Sequence, residues 1–269
     1  MKTIDFKKYT SIHIGGKHDV KVINEIGDYS KYHIIGKGNN LLLSNNPPKL
    51  AILGDEFDYI IQKGDKLIVG GATMSGKMLT YCKKNDIGDF EFLGKLPGSI
   101  GGLVKMNAGL KEWEMMNYLH SIKTNEGEIL KENINFTYRH TEIKGVVYEA
   151  TFNTTSGFSK EKMDMFIQMR NNQPNLPSAG SCFKNPKEHS AGYLIEKVGL
   201  KGHNIGGMAF SSMHANFLVN MGNGTYDEAI KLINLAKERV LSEFNIKLET
   251  EIVILWNSII KMDSNYLPH

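Results

Sequence analysis

Cysteine is nearly missing from this chain. Cys82 and Cys182 are the only two in 269 residues, too few and too far apart in sequence for a disulfide framework, and no cysteine/histidine cluster has the spacing of a zinc site. Two free thiols point to a reducing compartment. A dominant charge is missing too. With 32 basic and 29 acidic residues the formal charge is +3, and the lysines are scattered, so nothing argues for nucleic acid or an acidic membrane as partner. A modest positive field still suits a phosphorylated ligand. The opening "MKTIDFKKYT" lacks the apolar core of a secretion signal, and no apolar run approaches the ~20 residues needed to span a bilayer. A cytoplasmic protein with no membrane contact is expected. There is no internal repeat and no low-complexity tract.

What is present is an ordinary globular composition, 41% hydrophobic and 23% charged, which argues against disorder. The length predicts two or three modules, each with its own core. "KYHIIGKGNNLLLS" reads as strand, glycine loop and strand, and "LAILGD" and "DYIIQKGDKLIVGGA" continue the β character. "SGKMLTYCKKND" predicts a short helix. In "SIKTNEGEIL" the pair Glu126-Gly127 marks a hairpin turn, and "GVVYEATFNT" is a further strand. Ser156-Gly157 marks a domain boundary before a helix from Ser159 to about Arg170. The strongest helix signal is "TYDEAIKLINLAKERVLSEF", where Thr225 and Glu228 have capping-box spacing and Ile230, Ile233, Val240 and Phe244 form an apolar stripe. "EIVILW" predicts a short buried strand. Strands and helices are mixed throughout, so the expected class is α+β.

Three glycine-rich stretches invite a ligand. "GATMSGKM", Gly71 to Met78, nearly matches a P-loop between strand and helix. However, Met78 stands where a magnesium-binding hydroxyl belongs, and no downstream apolar strand ends in a suitable aspartate. A tight strand-to-helix turn with a surface lysine is the better reading. "GKGNNL" begins like a dinucleotide fingerprint at Gly36 and Gly38, but Leu41 replaces the third glycine and more strand follows, so no helix N-terminus awaits a pyrophosphate. Its glycines and Asn39 and Asn40 can still bring donors to an anion, or simply turn the chain. "LPGSIGGLVKMNAG" is too apolar for a solvated linker. It is either a buried loop closing on a flat ligand or a site of close packing between helix and strand.

Taken in order, "YTSIHIGG", "GKGNNLLLS", "LPGSIGGLVKMNAG", "FTYRHTEI", "PSAGSCFKNP", "AGYLIEKVGLKG", "HANFLVN" and "LETEIVIL" run from Tyr9 to about residue 255. As a set they resemble the UDP-N-acetylenolpyruvoylglucosamine reductases, the MurB family, flavoenzymes of peptidoglycan synthesis. The short spacing from Arg170 to "PSAGSCFKNP" resembles the compact subtype without an extra substrate-covering loop. The resemblance implies an FAD-binding fold of the vanillyl-alcohol-oxidase type with two α+β subdomains and a separate α+β substrate domain. Residues 1–54, joined by a strand near 251–256, would form the first subdomain, 55–156 the second, and 157–250 the substrate domain.

It also implies roles. Gly36, Gly38, Asn39, Asn40 and Leu41 would face a non-covalent FAD from one loop, with Pro97, Gly98, Ser99, Ile100, Gly101, Gly102, Asn107, Ala108 and Gly109 facing it from another. Ser181 matches the proton donor, Arg139 the catalytic arginine and Glu251 the catalytic glutamate. Tyr138, Arg170, Gln173, Asn185 and His214 would contact the nucleotide-sugar substrate or the nicotinamide of NADPH, and a monomer is expected. Cys182, next to Ser181, would face the opposite way as a small buried hydrophobe. The chain departs from the family pattern at Lys37 and Asn39, at "LKEWE" after "MNAG", and in "EIVILW". On residue type alone, Arg139 reads as a surface ion pair, Glu251 as a strand-edge carboxylate and Ser181 as a turn residue. The rival functions are a flavin oxidase of small alcohols, a P-loop nucleotide switch and a binding module without chemistry.

Overall fold

The computed structural model describes residues 1–257. Its contacts divide the chain into two compact units that the sequence threads alternately. The first holds Met1–Lys2, Val20–Lys37 and Lys49–Asn171; the second holds Thr3–Asp19, Gly38–Pro48 and the chain from Asn172 onward. Both mix helix and strand, so the α+β expectation holds.

The first unit is built on a five-stranded antiparallel sheet in the order Gly127–Leu130, Leu119–Thr124, Glu149–Asn153, Lys66–Gly70, Ile60–Lys63. Because strand side chains alternate between faces, the register Ile122 opposite Ala150, Ala150 opposite Val69 and Phe152 opposite Leu67 puts these apolar residues on one face. That face is the core side. All five are essentially sealed from solvent, together with Met78 and Cys82 of helix Ser75–Lys84, Ile100 and Val104 of helix Ile100–Lys105, and Phe166 of helix Lys160–Gln168. A smaller parallel group, in which the Val20–Ile23 part of strand Lys17–Ile23 and strand His33–Ile34 flank Leu50–Leu53, carries a second core around Phe57 and Tyr148. The hairpin differs from its expected position by one residue: Thr124 pairs with Gly127, so Asn125-Glu126 form the tip and Gly127, at φ 106°, takes the first paired position. Ser156–Ser159 is stitched to residues 86–91 by Gly157 N–H to Asp86 O (2.9 Å) and Ser159 N–H to Glu91 Oε1 (2.8 Å). The break between the units falls at Asn171/Asn172.

The second unit centres on a four-stranded antiparallel sheet ordered Ser178–Ser181, Phe217–Asn220, Met208–Phe210, Asn204–Ile205, with helices Ala191–Lys197 and Tyr226–Phe244. The capping box forms as the sequence predicts: Thr225 Oγ1 accepts from Glu228 N–H (3.3 Å), and Glu228 Oε2 accepts from Thr225 N–H (2.9 Å). Asn245 ends the helix in the left-handed region at φ 55°. The buried stripe is displaced from the expected one. Tyr226, Ala229, Leu232, Ile233, Ala236 and Val240 face the core, while Ile230 and Phe244 only flank it. Alanines at 229 and 236 allow close approach, which hydrophobicity alone does not signal. The predicted C-terminal strand is Val253–Leu255, parallel to Leu41–Leu43. It is less buried than expected, since Val253 is 38% exposed and only Leu255 is sealed.

Candidate active site

In the first unit the two glycine loops approach each other. A Cβ on Gly36 would lie 2.8 Å from Ser99 Oγ and 3.9 Å from Gly102 Cα, so this small cradle exists only while both positions lack side chains. Ile100 and Val104 are fully buried, which excludes a solvated hinge. Close packing accounts for part of the glycine content. Gly101 N–H donates to Gly71 O (2.9 Å) and Ile100 N–H to Thr73 O (2.8 Å), and a Cβ on Gly101 would meet Val147 O at 2.9 Å. Those two amides are therefore already satisfied and offer nothing to an anion. Pro97 precedes Gly98, whose φ of 150° few other residues adopt. The near-P-loop resolves as a turn: Met78 is buried in the core, and Lys77 Nζ pairs at the surface with Asp58 Oδ1 at 2.9 Å. The hydrogen bond from Lys77 holds the Asp58 carboxyl below its usual range.

Arg139 sits in the two-residue turn between strands Phe136–Thr137 and His140–Thr141, at φ 55°. Thr141 Oγ1 donates to Lys105 O (2.7 Å) and Lys105 Nζ to Gly145 O (3.1 Å), which ties this hairpin to helix Ile100–Lys105. The guanidinium reaches the loop that follows that helix: Nη2 donates to Gly109 O (2.7 Å), and Nη1 to Asn107 O (3.3 Å) and Glu114 Oε1 (3.0 Å). Asn107, fully buried at φ 42°, is itself clasped, its Nδ2 donating to Glu114 Oε2 (2.8 Å) and Thr137 O (3.1 Å) while Oδ1 accepts from Met116 N–H (3.1 Å). Ala108 is buried beside it. Gly109 must lack a side chain, since a Cβ there would be 2.1 Å from Trp113 O. The Tyr138 ring is 43% exposed and lies 4.7 Å from the guanidinium carbon. Thus Asn107, Gly109, Tyr138 and Arg139, four sequence-predicted residues, form one group.

A second group forms in the second unit. Its scaffold is backbone pairing: Glu251 N–H donates to Cys182 O (2.9 Å), Lys184 N–H to Glu249 O (2.9 Å), and Val253 N–H to Asn40 O (3.0 Å). Asn40 Nδ2 also donates to Glu251 O (3.0 Å). These bonds bring Glu251 and Asn40 alongside the segment that follows Ser181. Cys182 is buried in the core, where burial pushes its thiol well above the usual range, while Ser181 is half-buried. Asn185 Oδ1 accepts from Ala191 N–H (3.0 Å), the first amide of the next helix, which Ser190 caps. His214 Nδ1 accepts from Asn216 N–H (3.3 Å), which leaves the ring proton on Nε2, and burial lowers its pKa. Gly38, at φ 69°, and Asn39 give their carbonyls to Ser11: N–H to Gly38 O at 3.1 Å and Oγ to Asn39 O at 3.1 Å. Leu41 is buried.

Arg170 lies in the turn after helix Lys160–Gln168 and Gln173 in a bend three residues on. Two residues that sequence reasoning passed over do much of the organising. Glu114 answers the charge of Arg139. Asn216, 3% exposed, grips the Ser181 segment by donating Nδ2 to Phe183 O (2.8 Å), accepting Phe183 N–H on Oδ1 (2.9 Å) and accepting Cys182 N–H on its carbonyl (2.7 Å). Asn216 lies inside the motif "HANFLVN", whereas Glu114 ends "LKEWE", a stretch that departs from the family pattern.

Among the described residues no group of three or more His, Cys, Asp or Glu could hold a metal ion, and no helix is long and apolar enough to cross a membrane. Residues 172–255 match the family model described as UDP-N-acetylenolpyruvoylglucosamine reductase, C-terminal domain. The chain is 46% identical over 254 residues to the UDP-N-acetylenolpyruvoylglucosamine reductase of Helicobacter pylori, covering 94% of this chain and 98% of that one. It is 44% identical over 257 residues to the Campylobacter jejuni enzyme of the same name, with 94% and 99% covered. The crystal structure of UDP-N-acetylenolpyruvylglucosamine reductase (MurB) from Thermus caldophilus superposes with a TM-score of 0.81 at 29% identity, covering 94% of this chain and 98% of that one. With identities this high over nearly the whole of both sequences, the chain belongs to the UDP-N-acetylenolpyruvoylglucosamine reductase (MurB) family.

Proposed function

We propose that this chain uses non-covalent FAD and NADPH to reduce UDP-N-acetylglucosamine enolpyruvate to UDP-N-acetylmuramate, a step of peptidoglycan synthesis, acting in the cytoplasm as a monomer of the compact subtype. Family membership supports the reaction. The observation that carries the residue assignment is the backbone pairing that joins Glu251 to Cys182, the residue after Ser181, and to Asn40, motif segments far apart in sequence. The vanillyl-alcohol-oxidase type of FAD fold belongs to the same reading, with residues 1–54 plus the strand near 251–256, 55–156, and 157–250 as its three parts.

The residues fit a flavin nucleotide. Gly36 and Gly102 leave a cradle that a Cβ would fill, and Gly38 holds the left-handed turn of the adjoining loop. Gly36 to Leu41, Pro97 to Gly102 and Asn107 to Gly109 would hold it, with Ile100 and Gly101 acting through packing since their amides are spent. The chemistry that the flavin supplies when bound is hydride transfer, from NADPH and then to the terminal methylene carbon of the enolpyruvyl ether.

Everything else is the task of the chain. Addition of hydride leaves an electron pair on the carbon next to the carboxylate, delocalised into it as an enolate. Arg139, a fixed cation held in a partly buried network, stabilises that developing charge, the kind of preorganised donor whose loss typically costs ~10²–10³ in rate. Glu251, when protonated, donates a hydrogen bond to the same oxygens. The Ser181 hydroxyl gives its proton to the carbon, which forms the new C–H bond, and is reprotonated by relay from its surroundings. Tyr138, Arg170, Gln173, Asn185 and neutral His214 bind the substrate or the nicotinamide.

The test is optical. The purified protein should be yellow, bleach with NADPH under anaerobic conditions, and regain colour on addition of UDP-N-acetylglucosamine enolpyruvate. A colourless protein defeats the flavin reading; recovery with dioxygen but not with the enolpyruvyl sugar favours the oxidase.

A further inference from the structure

We propose that Glu114 is the positioning residue for Arg139, holding the guanidinium at the angle the enolate requires and coupling it to the Asn107–Gly109 loop. The proposal rests on the reading above that Arg139 stabilises the developing charge.

Strand Trp113–Glu114 pairs with Gly109–Leu110, with Glu114 directly opposite Gly109. One short hairpin therefore supplies two of the acceptors that grip Arg139, the Gly109 carbonyl and the Glu114 carboxylate. The two carboxylate oxygens have separate duties: Oε1 accepts from Arg139 Nη1 at 3.0 Å and Oε2 from Asn107 Nδ2 at 2.8 Å. Two donors thus converge on one side chain, and only a carboxylate presents an acceptor to each. A glutamine offers one acceptor and one donor, so it keeps one contact and opposes N–H to N–H at the other. The ion pair is largely sequestered, with side-chain exposures of 12% for Arg139 and 17% for Glu114. In such surroundings an unanswered guanidinium moves or recruits water. Arg139 already occupies a left-handed backbone conformation that L residues rarely adopt, which its surroundings must hold in place.

The experiment uses flavin-loaded enzyme in four variants: Glu114→Gln, Glu114→Asp, Arg139→Lys, and Glu114→Gln with Arg139→Lys. Four quantities are read: bleaching by NADPH, reoxidation of pre-reduced enzyme by UDP-N-acetylglucosamine enolpyruvate, calorimetric affinity of oxidised enzyme for that substrate, and melting temperature. Glu114→Gln should slow reoxidation about 10- to 100-fold, as misplacement of a catalytic group by about 1 Å does, and leave bleaching within about twofold. Glu114→Asp keeps both acceptors and should recover most of the rate. The double variant should be no slower than the slower single one, because both substitutions act through one group. Wild-type reoxidation in Glu114→Gln, beside impaired Arg139→Lys, overturns the proposal. So does an equal loss in both half-reactions with a lowered melting temperature, the signature of a purely structural ion pair. Wild-type reoxidation in Arg139→Lys overturns the reading beneath the proposal, and the proposal with it. If Glu114→Gln fails to retain flavin, Glu114→Asp and the calorimetric affinity still decide: a shorter carboxylate that slows bleaching as much as reoxidation, with substrate affinity unchanged, overturns the positioning role.

Discussion

Around Arg139 the side chain itself is gripped, by two backbone carbonyls and a carboxylate, whereas around Ser181 the bonds run to the backbone of the two residues that follow it. Cys182 and Phe183 are fixed by Asn216 and by strand pairing with Glu251, and the serine is carried along. The difference follows charge. A partly buried cation must have its charge answered, and whatever answers it also sets its position. A neutral hydroxyl needs only a rigid main chain and a direction. Substitutions should therefore separate the two regions, one failing through a side-chain partner and the other through the backbone.

The largest effect is expected at Ser181. Ser181→Ala removes the proton donor without disturbing the backbone pairing, so bleaching by NADPH should proceed at nearly the wild-type rate while product formation falls by at least the ~10²-fold typical of general acid catalysis. Stopped-flow absorbance reads both steps. If alanine slows bleaching and spares reoxidation, the serine has been misassigned. Arg139→Lys should cost on the order of 100-fold in turnover, because lysine keeps the charge but loses the planar fork that meets several acceptors at once. Flavin affinity should change less; the reverse pattern would move Arg139 from chemistry to cofactor binding.

Asn216→Ala sharpens the comparison from the backbone side. It strips partners from Phe183 N–H and O in the core, and at about 1–3 kcal/mol for each buried group left unmade the melting temperature should drop by several degrees. Turnover at saturating substrate should fall with it. Unchanged stability would mean that backbone pairing with Asn216, Phe217 and Glu251 holds the Ser181 segment without the amide side chain. Smallest is Lys77→Ala in the near-P-loop. An exposed ion pair contributes ~0.2–1 kcal/mol at most, so flavin content and both half-reactions should stay at wild-type values, and ATP should not bind either protein.

Legibility followed locality. Thr225 and Glu228 lie three positions apart, and the box they form is visible as a spacing. The glycine loops were legible because each is a motif of adjacent residues, whereas strand Ser178–Ser181, where residue type reads a turn, and the turn at Arg139 were not. The helix stripe shifted to Ala229 and Ala236 because close approach, a tertiary demand, chose the face. Glu114 and Asn216 escaped because their partners lie 25 and 33 residues away, and a glutamate or asparagine alone carries no sign of whom it will meet. The pairing of the "NNLLLS" strand with "VIL" near residue 254 is written in neither segment by itself, and only the family resemblance joined residues 1–54 with a strand near 251–256.

That last pairing has a consequence for how the chain is made. Asn40 bonds to Glu251 across 211 positions, so at the ~5–20 residues per second of translation the leucine strand emerges roughly 10–40 s before its partner exists. Leu41, Leu42 and Leu43 are all sealed in the finished molecule, and until then they are an uncovered apolar edge for a nascent-chain chaperone to shield. The first unit meets no such delay, since most of it is the continuous stretch Lys49–Asn171. The ribosome thus delivers one half of the molecule ready to fold and leaves the other waiting for the strand that brings Glu251.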